Sequence, residues 1–452
     1  MDRTTETIAA YAAGLTLDDL PPACVDAVRT RLLDSVACAI GGFDALPSHI
    51  ARNLASSISA APGARVLGTG AITAPDLAAF TNTVMLRVLD YNDTYVSRGS
   101  LHPSDLIPAA LAAAEVTHSS GAQLVLSIVL GYEVACAMSS AVNLRERGWD
   151  QGIYVTVASA VAAGKLLGLT QTQLGHAVSL ALVPQIPLRQ TRAGDLSMWK
   201  GCATAASVRG GVFAAQLAQL GMTGPDAPFE GKDGLFARVT GEFDLCLPAQ
   251  SDRYGIQVSN LKLQPAEYHS QALLDLVPTI LDRTPVDRIR SIDVETYWMA
   301  YSEIGSEPAK WQPETRETAD HSLPFLLASA LLDGRLSLDA FSDARLGDPA
   351  LRQLMQRIRI EHDPLLTERF PDELPSRLHI ATTDGERFTL ETTYPRGHFR
   401  NPASVADIEA KFSAMADGVI PPPRQTAIRA AIASVERCPD AGELVSALTW
   451  SR

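Results

Sequence analysis

The chain has 452 residues, of which 46% are hydrophobic and 20% are charged, so its composition is that of an ordinary soluble globular protein. This length allows roughly two or three domains and enough buried surface for real hydrophobic cores. The formal net charge of −13 argues against general nucleic-acid binding, because neutralising phosphates needs clustered Lys and Arg. A small anionic substrate is still possible, since a pocket can hold positive charge inside a negative protein.

The N-terminus and the hydropathy pattern contain no sign of export or of a membrane span. Met1–Glu6 has no basic region followed by an apolar core, so no secretory signal is predicted. No run of about twenty residues is both uninterrupted and apolar, and the most apolar region, residues 124–142, contains Glu133. We therefore expect a buried helix there, no membrane partner and a cytoplasmic protein.

The six cysteines are widely spaced and form no CxxC pair, so neither a zinc site nor a cysteine-ligated cluster is predicted. We accordingly expect no bound metal. Four cysteines occur in apolar, helical contexts and are expected to be reduced core residues: Cys24, Cys38, Cys136 and Cys202.

Residues 1–258 are predicted to be mostly helical, because Ala and Leu dominate and apolar residues recur at spacings of three and four. Thr170 and Gln173 have the spacing of a capping box, which predicts the start of a helix. The predicted helices include residues 25–38, 77–89, 106–116, 123–142, 156–167 and 203–220.

The pattern changes near residue 259. Residues 290–298 alternate as in a strand, with one face formed by Ile292, Val294, Thr296 and Trp298. Residues 354–362 and 378–392 are also predicted to be strands, and Thr383–Gly385 is the predicted hairpin turn inside the second of these. Helices are predicted at residues 321–333, 338–341, 406–415, 423–433 and 441–448.

This order of elements predicts a mostly α fold with an α+β insert. Residues 1–258 and 398–452 are expected to form one discontinuous all-helical domain, into which an α/β lid domain of residues 259–397 is inserted. Clefts between domains commonly bind small molecules. A cleft of that kind is therefore the expected place for a functional site.

The most polar segments, Asp90-Tyr-Asn-Asp-Thr94 and His102-Pro-Ser-Asp105, stand between two Ala-rich helical segments. Such runs are rare in a helix interior, because these side chains compete for backbone hydrogen bonds. One interpretation is structural, with a helix end, a loop and a new N-cap at Ser104 or Asp105. The other is a polar pocket in which a histidine and carboxylates perform acid–base chemistry.

The segments Val88-Leu-Asp-Tyr-Asn-Asp-Thr-Tyr95 and His102-Pro-Ser-Asp105 resemble the MmgE/PrpD family of 2-methylcitrate dehydratases and cis-aconitate decarboxylases. The resemblance runs from about residue 5 to about residue 450, with the motifs in the order of the family. The further motifs are Ser197-Met-Trp-Lys-Gly-Cys-Ala203, Gly221-Met-Thr-Gly-Pro225, Phe229-Glu-Gly231, Lys262-Leu-Gln-Pro-Ala-Glu-Tyr-His269, Thr315-Arg-Glu-Thr-Ala-Asp-His-Ser-Leu-Pro324 and Tyr394-Pro-Arg-Gly-His-Phe-Arg-Asn-Pro402.

The resemblance implies the same architecture, a homodimer, and action on small tricarboxylates and related polyacids without a metal or an organic cofactor. Such chemistry needs a base, groups that stabilise negative charge, and an acid for the leaving hydroxyl. His102 is the leading proton-transfer residue by this resemblance, and its ordinary pKa of ~6.5 suits that task. Asp90 and Thr94 match the first motif of the family, as an i, i+4 pair that would face the same way in a helical turn. Lys200 matches the active-site lysine.

Thr94 is predicted to bind the substrate, and so are five further residues. Asn92 belongs to the same polar run as Asp90. Arg189 and Arg192 are spaced three apart, which would place both on one face of a helix, and guanidinium binds carboxylate in a bidentate manner. A solvated helix face is the alternative for these two residues. Lys262 resembles a lysine that the lid contributes in the family. His269 lies in the same lid motif, and a structural role is an equal alternative for it.

The chain departs from the decarboxylase branch at two positions. Gln151, in Arg147-Gly-Trp-Asp-Gln-Gly152, and Glu267 stand where that branch has histidines, although Gln151 also replaces a histidine that is usual among the dehydratases. The hypothesis is a cofactor-independent lyase that dehydrates 2-methylcitrate or a related hydroxylated di- or tricarboxylate. The alternatives are an epimerase, isomerase or decarboxylase of a similar acid, and a non-catalytic member that binds polyacids.

Overall fold

The computed structural model describes residues 1–249 and 252–450, and the chain is mostly helical. The first ten α-helices are α1 (Arg3–Gly14), α2 (Pro22–Gly41), α3 (Leu46–Ser56), α4 (Pro75–Arg87), α5 (Ile107–Thr117), α6 (Gly121–Ala141), α7 (Gly152–Leu166), α8 (Gln171–Leu182), α9 (Ala203–Gln219) and α10 (Gly255–Val258). Two short antiparallel hairpins join β1 (Ala64–Arg65) to β2 (Ile72–Thr73) and β3 (Tyr95–Val96) to β4 (Ser100–Leu101). The shorter helices of this part are the 3-10 helices Leu17–Asp19, Pro103–Leu106, Arg145–Arg147, Arg189–Arg192 and Met198–Gly201 and the π-helix Phe236–Thr240.

Side-chain caps define where two of the central helices begin. Ser120 and Gln123 form a capping box at the start of α6, and Thr170 and Gln173 form one at the start of α8. Each box satisfies backbone N–H groups that the first helical turn leaves without an intrahelical partner. The helix start predicted at Thr170 is therefore confirmed.

Helices α7 and α9 pack against each other at close range. Gly211 on α9 allows this approach, because a Cβ atom there would come within 2.6 Å of both the Cβ of Ser159 and the carbonyl oxygen of Thr156 on α7. Interiors of this kind are close-packed. A single added methyl group would therefore force the two helices apart.

Helix α6 is, within the described part of the chain, the one helix long and apolar enough to cross a membrane by length and composition. However, 89% of its most apolar window is buried inside the protein. Its one carboxylate, Glu133, accepts hydrogen bonds from the backbone N–H groups of Ala249 and Gly255, both at 2.6 Å. These contacts confirm the predicted buried helix.

The α+β part contains one sheet of four strands. Strand β5 (Ile289–Thr296) is parallel to β6 (Ile358–His362) and antiparallel to β7 (Ser376–Thr382), which pairs with β8 (Arg387–Thr392), so the order is β6-β5-β7-β8. The helices of this part are α11 (Gln271–Leu274), α12 (Val277–Arg283), α13 (Trp298–Ile304), α14 (Pro308–Trp311), α15 (Arg316–Ala319), α16 (Leu323–Asp333), α17 (Asp343–Leu346), α18 (Pro349–Met355) and α19 (Pro364–Glu368), with 3-10 helices at Tyr268–Ser270, Val286–Arg288 and Leu338–Phe341.

One face of this sheet packs on the helices. Ile292, Val294, Leu378 and Ile380 project from β5 and β7 into a core that also contains Phe325 of α16. The predicted hairpin is confirmed, since β7 and β8 are joined by a tight turn in which Gly385 has a φ of 94°. That left-handed backbone conformation favours glycine.

Three helices complete the chain: α20 (Val405–Ala416), α21 (Pro422–Ala433) and α22 (Ala441–Ala447), with a 3-10 helix at Val435–Arg437. Helix α20 packs against α2, and α22 packs against α5. Lys411 on α20 forms a buried ion pair with Asp34 on α2, with Nζ and Oδ1 2.6 Å apart. The C-terminal helices therefore close the helical part of the chain.

The described residues form two compact units. The first comprises the described residues of Met1–Thr191, Gly201–Ser259 and Val405–Arg452, and the second comprises Arg192–Lys200 and Asn260–Ser404. The segment Arg192–Lys200 groups with the α+β part because its backbone is tied to α15, where the N–H of Leu196 donates to the hydroxyl of Thr318 (3.2 Å). The sequence analysis had instead assigned that segment to the helical domain. The lid and its exact boundaries stay a prediction.

The mostly α fold with some β structure is confirmed, and the four cysteines expected in the core are buried thiols. Two strand predictions were wrong in part. Trp298 does not continue the buried face of β5, because the chain turns after Tyr297 and Trp298 begins α13 with an exposed side chain. Residues 354–357 are not a strand either, because Leu351, Leu354 and Met355 enter the core from α18.

Candidate active site

The loop that follows α4 brings a carboxylate against a buried guanidinium. Asp90 has a φ of 51°, a left-handed conformation that is uncommon outside glycine and is most often adopted by Asn and Asp. Its Oδ1 lies 2.9 Å from Nη1 of Arg87, and the side chains of both residues are only 1% exposed. A residue held in this backbone region often marks a functional site.

His102 is held in one orientation by two hydrogen bonds. Its Nδ1 lies 2.6 Å from the carbonyl oxygen of Asp93, and its backbone N–H donates to Oε1 of Gln151 (3.0 Å). Because a carbonyl oxygen can only accept, the ring proton is on Nδ1 and the lone pair is on Nε2. Nε2 lies 3.9 Å from Oδ1 of Asp90, with the His102 side chain 13% exposed. The arrangement is that of a general base beside a carboxylate.

Asn92 and Thr94 are buried and make contacts that shape the loop. The Nδ2 of Asn92 donates to Oγ of Ser104 and to Oδ1 of Asp105, both at 2.9 Å. The hydroxyl of Thr94 donates to the carbonyl oxygen of Leu101 (3.1 Å), one residue before His102. The helical turn expected to place Asp90 and Thr94 on one face is absent, because α4 ends at Arg87 and the chain reverses at Asp90.

Ser104 and Asp105 are not helix caps, which corrects the structural interpretation of this segment. Both lie inside the 3-10 helix Pro103–Leu106 that precedes α5, and both are fully buried. The backbone N–H of Ser104 donates to Oδ1 of Asp93 (2.9 Å). The carboxylate of Asp105 faces Arg87 at the end of α4, with Oδ2 3.8 Å from Nε.

In the second unit, Lys200 lies at the centre of a buried charged group. Its Nζ lies 2.6 Å from Oδ1 of Asp320, and the two side chains are 2% and 1% exposed. Nδ1 of His321 lies 2.7 Å from the same carboxylate oxygen. A lysine buried to this degree is rare unless it is paired, so Lys200 is a cation positioned inside the protein and not a solvated surface residue.

Lys310 is another buried lysine in this unit, and it was not predicted from the sequence. Burial lowers the pKa of its ammonium, with Lys200 among the neighbours that lower it further and Glu307 among those that raise it. Its backbone is fixed close to Asp320 and His321, because the hydroxyl of Ser322 donates to the carbonyl oxygen of Lys310. The nearest motif begins at Thr315, and an isolated lysine before it has no local feature that marks it.

Lys262 and His269 are also buried in the second unit. The backbone before Lys262 is fixed by the N–H of Leu261, which donates to the carbonyl oxygen of Gly397 (2.9 Å). Nδ1 of His269 is hydrogen-bonded to the hydroxyl of Tyr297, a phenol whose pKa burial raises well above its ordinary value. These contacts give His269 a structural role, while substrate binding stays a prediction for both residues.

Arg189 and Arg192 stand at the two ends of the 3-10 helix Arg189–Arg192. Both are partly exposed, and the backbone N–H of Arg189 donates to the carbonyl oxygen of Gly148 (2.9 Å). Residues three apart eclipse one another in a 3-10 helix. Their proposed contact with substrate carboxylates stays a prediction.

Sequence comparison identifies the relatives of the chain. Sequence models of the MmgE/PrpD N-terminal and C-terminal domains match residues 6–247 and 265–437. The 2-methylcitrate dehydratase of Cupriavidus necator is 29% identical over 445 residues, which cover 90% of this chain and 88% of that protein. The 2-methylcitrate dehydratase of Escherichia coli O157:H7 is 30% identical over 414 residues (83% and 82%), and the cis-aconitate decarboxylase of Homo sapiens is 25% identical over 443 residues (92% and 88%).

Proposed function

The chain belongs to the MmgE/PrpD family and is an enzyme, and from this premise we propose that it dehydrates a small hydroxylated di- or tricarboxylate, 2-methylcitrate or a relative, without a cofactor. The two dehydratases are 29% and 30% identical to the chain, against 25% for the human decarboxylase. Gln151 does not separate the two reactions, because both branches have a histidine at this position; in this chain its side chain accepts the backbone N–H of His102 (3.0 Å).

The geometry of His102 carries the proposal. With the ring proton bound by the Asp93 carbonyl, Nε2 accepts a proton from the carbon beside a substrate carboxylate. The electron pair of that C–H bond forms the new C=C bond, while the C–O bond on the neighbouring carbon breaks and the hydroxyl takes a proton from solvent and leaves as water. His102 later returns its proton to solvent, so the net change is the loss of one water molecule. The resulting imidazolium lies beside Asp90, whose Oδ1 is 3.9 Å from Nε2, and this carboxylate stabilises it.

The substrate brings two or three carboxylates, and proton removal adds negative charge at the reacting carbon. Lys200 is the buried ammonium that we assign to this charge, since a preorganised cation in a dry environment is worth more than one in water. Lys262, Arg189 and Arg192 are the proposed cations for the remaining carboxylates. Asn92 and Thr94 are assigned to shaping the loop, and any contact of theirs with substrate is a further proposal.

The test of the reaction uses pure protein with 2-methylcitrate or citrate in metal-free buffer. Dehydration produces an unsaturated acid, which is followed by its ultraviolet absorbance. Deuterium uptake from heavy water without an unsaturated product would instead identify an epimerase or isomerase. Release of carbon dioxide would identify a decarboxylase, and no change with any of these acids would contradict the proposal.

The homodimer and the cytoplasmic location stay predictions for this chain. Light scattering at micromolar concentration measures the first, and a monomer would contradict it. Cell fractionation measures the second.

A further inference from the structure

Asp93 is a fully buried carboxylate in which both oxygens are engaged. Its Oδ1 accepts the backbone N–H of Ser104 (2.9 Å). Its Oδ2 accepts the hydroxyl of Tyr132 on α6 (2.7 Å) and lies 3.3 Å from Nε of Arg31 on α2. Three separate segments of the first unit therefore converge on one side chain.

The partners of Asp93 are themselves fixed. Burial, and next the charge of Asp93, raise the pKa of the Tyr132 phenol well above its ordinary value, so Tyr132 remains an O–H donor. The Nη2 of Arg31 donates to the carbonyl oxygen of Ser259. Burial of a carboxylate is unfavourable unless the carboxylate is paired in good geometry, and well-packed apolar residues in its place often give equal or higher stability. Packing of this core alone therefore does not explain why a carboxylate with these two partners is buried here.

The backbone of Asp93 contacts the proposed base directly. Its carbonyl oxygen accepts from Nδ1 of His102 (2.6 Å), while its side chain holds the N–H of Ser104, two residues after the histidine. The same residue thus fixes the imidazole ring and the backbone that carries it. A histidine is a useful base only in the correct tautomer, and a group that holds the other ring nitrogen sets that tautomer.

We propose that Asp93 is a positioning residue for His102. The contacts of the buried Asp93 carboxylate hold the backbone carbonyl of Asp93 against Nδ1 of His102, and this keeps the lone pair of the imidazole on Nε2. The tautomer of His102 does not depend on any substrate. The effect of that tautomer on turnover rests on the proposed function. The two parts are tested separately, so that failure of one is distinguishable from failure of the other.

The tautomer is measured by nitrogen-15 NMR of the full chain labelled at histidine, with the His102 signals assigned by their loss in His102→Asn. Wild type is expected to show a protonated Nδ1 and an unprotonated Nε2 on His102 at a pH where the ring is neutral. Asp93→Asn sets an amide NH₂ against a donor in either orientation, the N–H of Ser104 or the pair Tyr132 and Arg31, and is expected to give a mixture of tautomers. Asp105→Asn removes another buried carboxylate from the same loop and is expected to leave the tautomer unchanged.

A single unchanged tautomer in folded Asp93→Asn would overturn the proposal. Should that variant fail to fold, Tyr132→Phe removes one hydrogen bond to Oδ2 without moving a charge, and it is expected to shift the same signals by a smaller amount. Unchanged signals in Tyr132→Phe would then overturn the proposal equally. A mixture of His102 tautomers in Asp105→Asn would also overturn the proposal, because it would show that any change in the loop alters the tautomer.

The kinetic part uses a double-mutant cycle. Asp93→Asn is expected to lower kcat roughly 10-fold or more with little change in KM, as for other groups that orient a catalytic histidine. In a His102→Asn background the same substitution is expected to lower the residual rate no further. An equal loss in both backgrounds would show that Asp93 does not act through His102. Full activity of His102→Asn itself would overturn the assignment of His102 as the base while leaving the NMR result intact.

Discussion

Oδ1 of Asp90 lies 2.9 Å from Nη1 of Arg87 and 3.9 Å from Nε2 of His102. One carboxylate oxygen thus stands between a buried cation and the proposed base. Charge formed on the imidazole during turnover therefore appears next to a carboxylate that Arg87 has already fixed in place, and no reorganisation is needed at that moment.

The first prediction concerns this pair. Asp90→Asn tolerates the left-handed backbone at this position but removes the charge beside His102, so we expect kcat to fall about 10²-fold. It also removes the charged partner 2.9 Å from the buried Arg87, which should lower the free energy of unfolding by roughly 3–5 kcal/mol. The double variant Arg87→Met/Asp90→Asn should recover stability without recovering activity. Recovery of both, in turnover and urea-denaturation assays, would show that Asp90 serves the fold alone.

A second prediction distinguishes the contribution of the Lys200 charge to substrate binding from its contribution to stability. Lys200→Ala removes the cation 2.6 Å from the buried carboxylate of Asp320, so we expect weaker substrate binding together with a loss of about 3–5 kcal/mol of stability. Lys200→Arg keeps the charge and is the matched control, with smaller losses expected in both quantities. The measurements are KM and the urea midpoint. An unchanged KM in Lys200→Ala would remove the residue from the substrate-binding set.

A third prediction concerns pH and His398. Burial, and then the guanidinium of Arg400, lower the pKa of His398 from 6.5 to about 4, and its neutral Nδ1 accepts the backbone N–H of Arg400 (3.1 Å). Between these two pH values the unfolded chain binds more protons than the folded chain, so acidification from pH 6.5 to 4 lowers the free energy of unfolding. Over this pH range His398 lowers the free energy of unfolding by about 3 kcal/mol in total.

The control for that effect is His398→Gln, which does not titrate. Its free energy of unfolding, measured with urea at several pH values, should fall less steeply than that of wild type over this range. Above pH 6.5 the two curves should run parallel. Identical slopes between pH 6.5 and pH 4 would contradict the assignment.

A fourth prediction tests independence from metals. Treatment with a chelator followed by gel filtration should leave turnover of the hydroxy acid unchanged, because His102 and Lys200 supply a base and a cation from the chain itself. A loss of activity that added Mg²⁺, Fe²⁺ or Zn²⁺ restores would contradict the cofactor-independent mechanism.

A polar run between apolar helices is visible in the sequence, and it was enough to single out Asp90 and His102 as candidates. Contacts of this segment with distant parts of the chain could not be predicted in the same way. Lys411 lies far along the chain from Tyr91, yet it donates to the Tyr91 carbonyl oxygen (2.7 Å) and its ammonium stands 3.7 Å from the centre of the Tyr91 ring. Contacts of this kind depend on how helices pack, and no local pattern reports them.

Periodicity failed where the backbone changes direction. An i, i+4 relation between Asp90 and Thr94 requires a continuing helix, but α4 ends at Arg87 and Asp90 has a left-handed conformation. The strand predicted to reach Trp298 ends two residues earlier, at Thr296, because the chain turns into α13 at Trp298. Lys310 was missed because burial of a lysine is a tertiary property, set here by the packing of α14 against α16.

The central claim is that His102 moves the proton, and His102→Asn tests it most directly. Turnover of the hydroxy acid and the melting temperature are measured on the same preparation. We predict a loss of kcat of roughly 10²-fold or more with an unchanged melting temperature, since the side chain is partly exposed and only the proton acceptor is removed. Near-wild-type turnover, or a loss of activity that merely follows a loss of stability, would contradict the account.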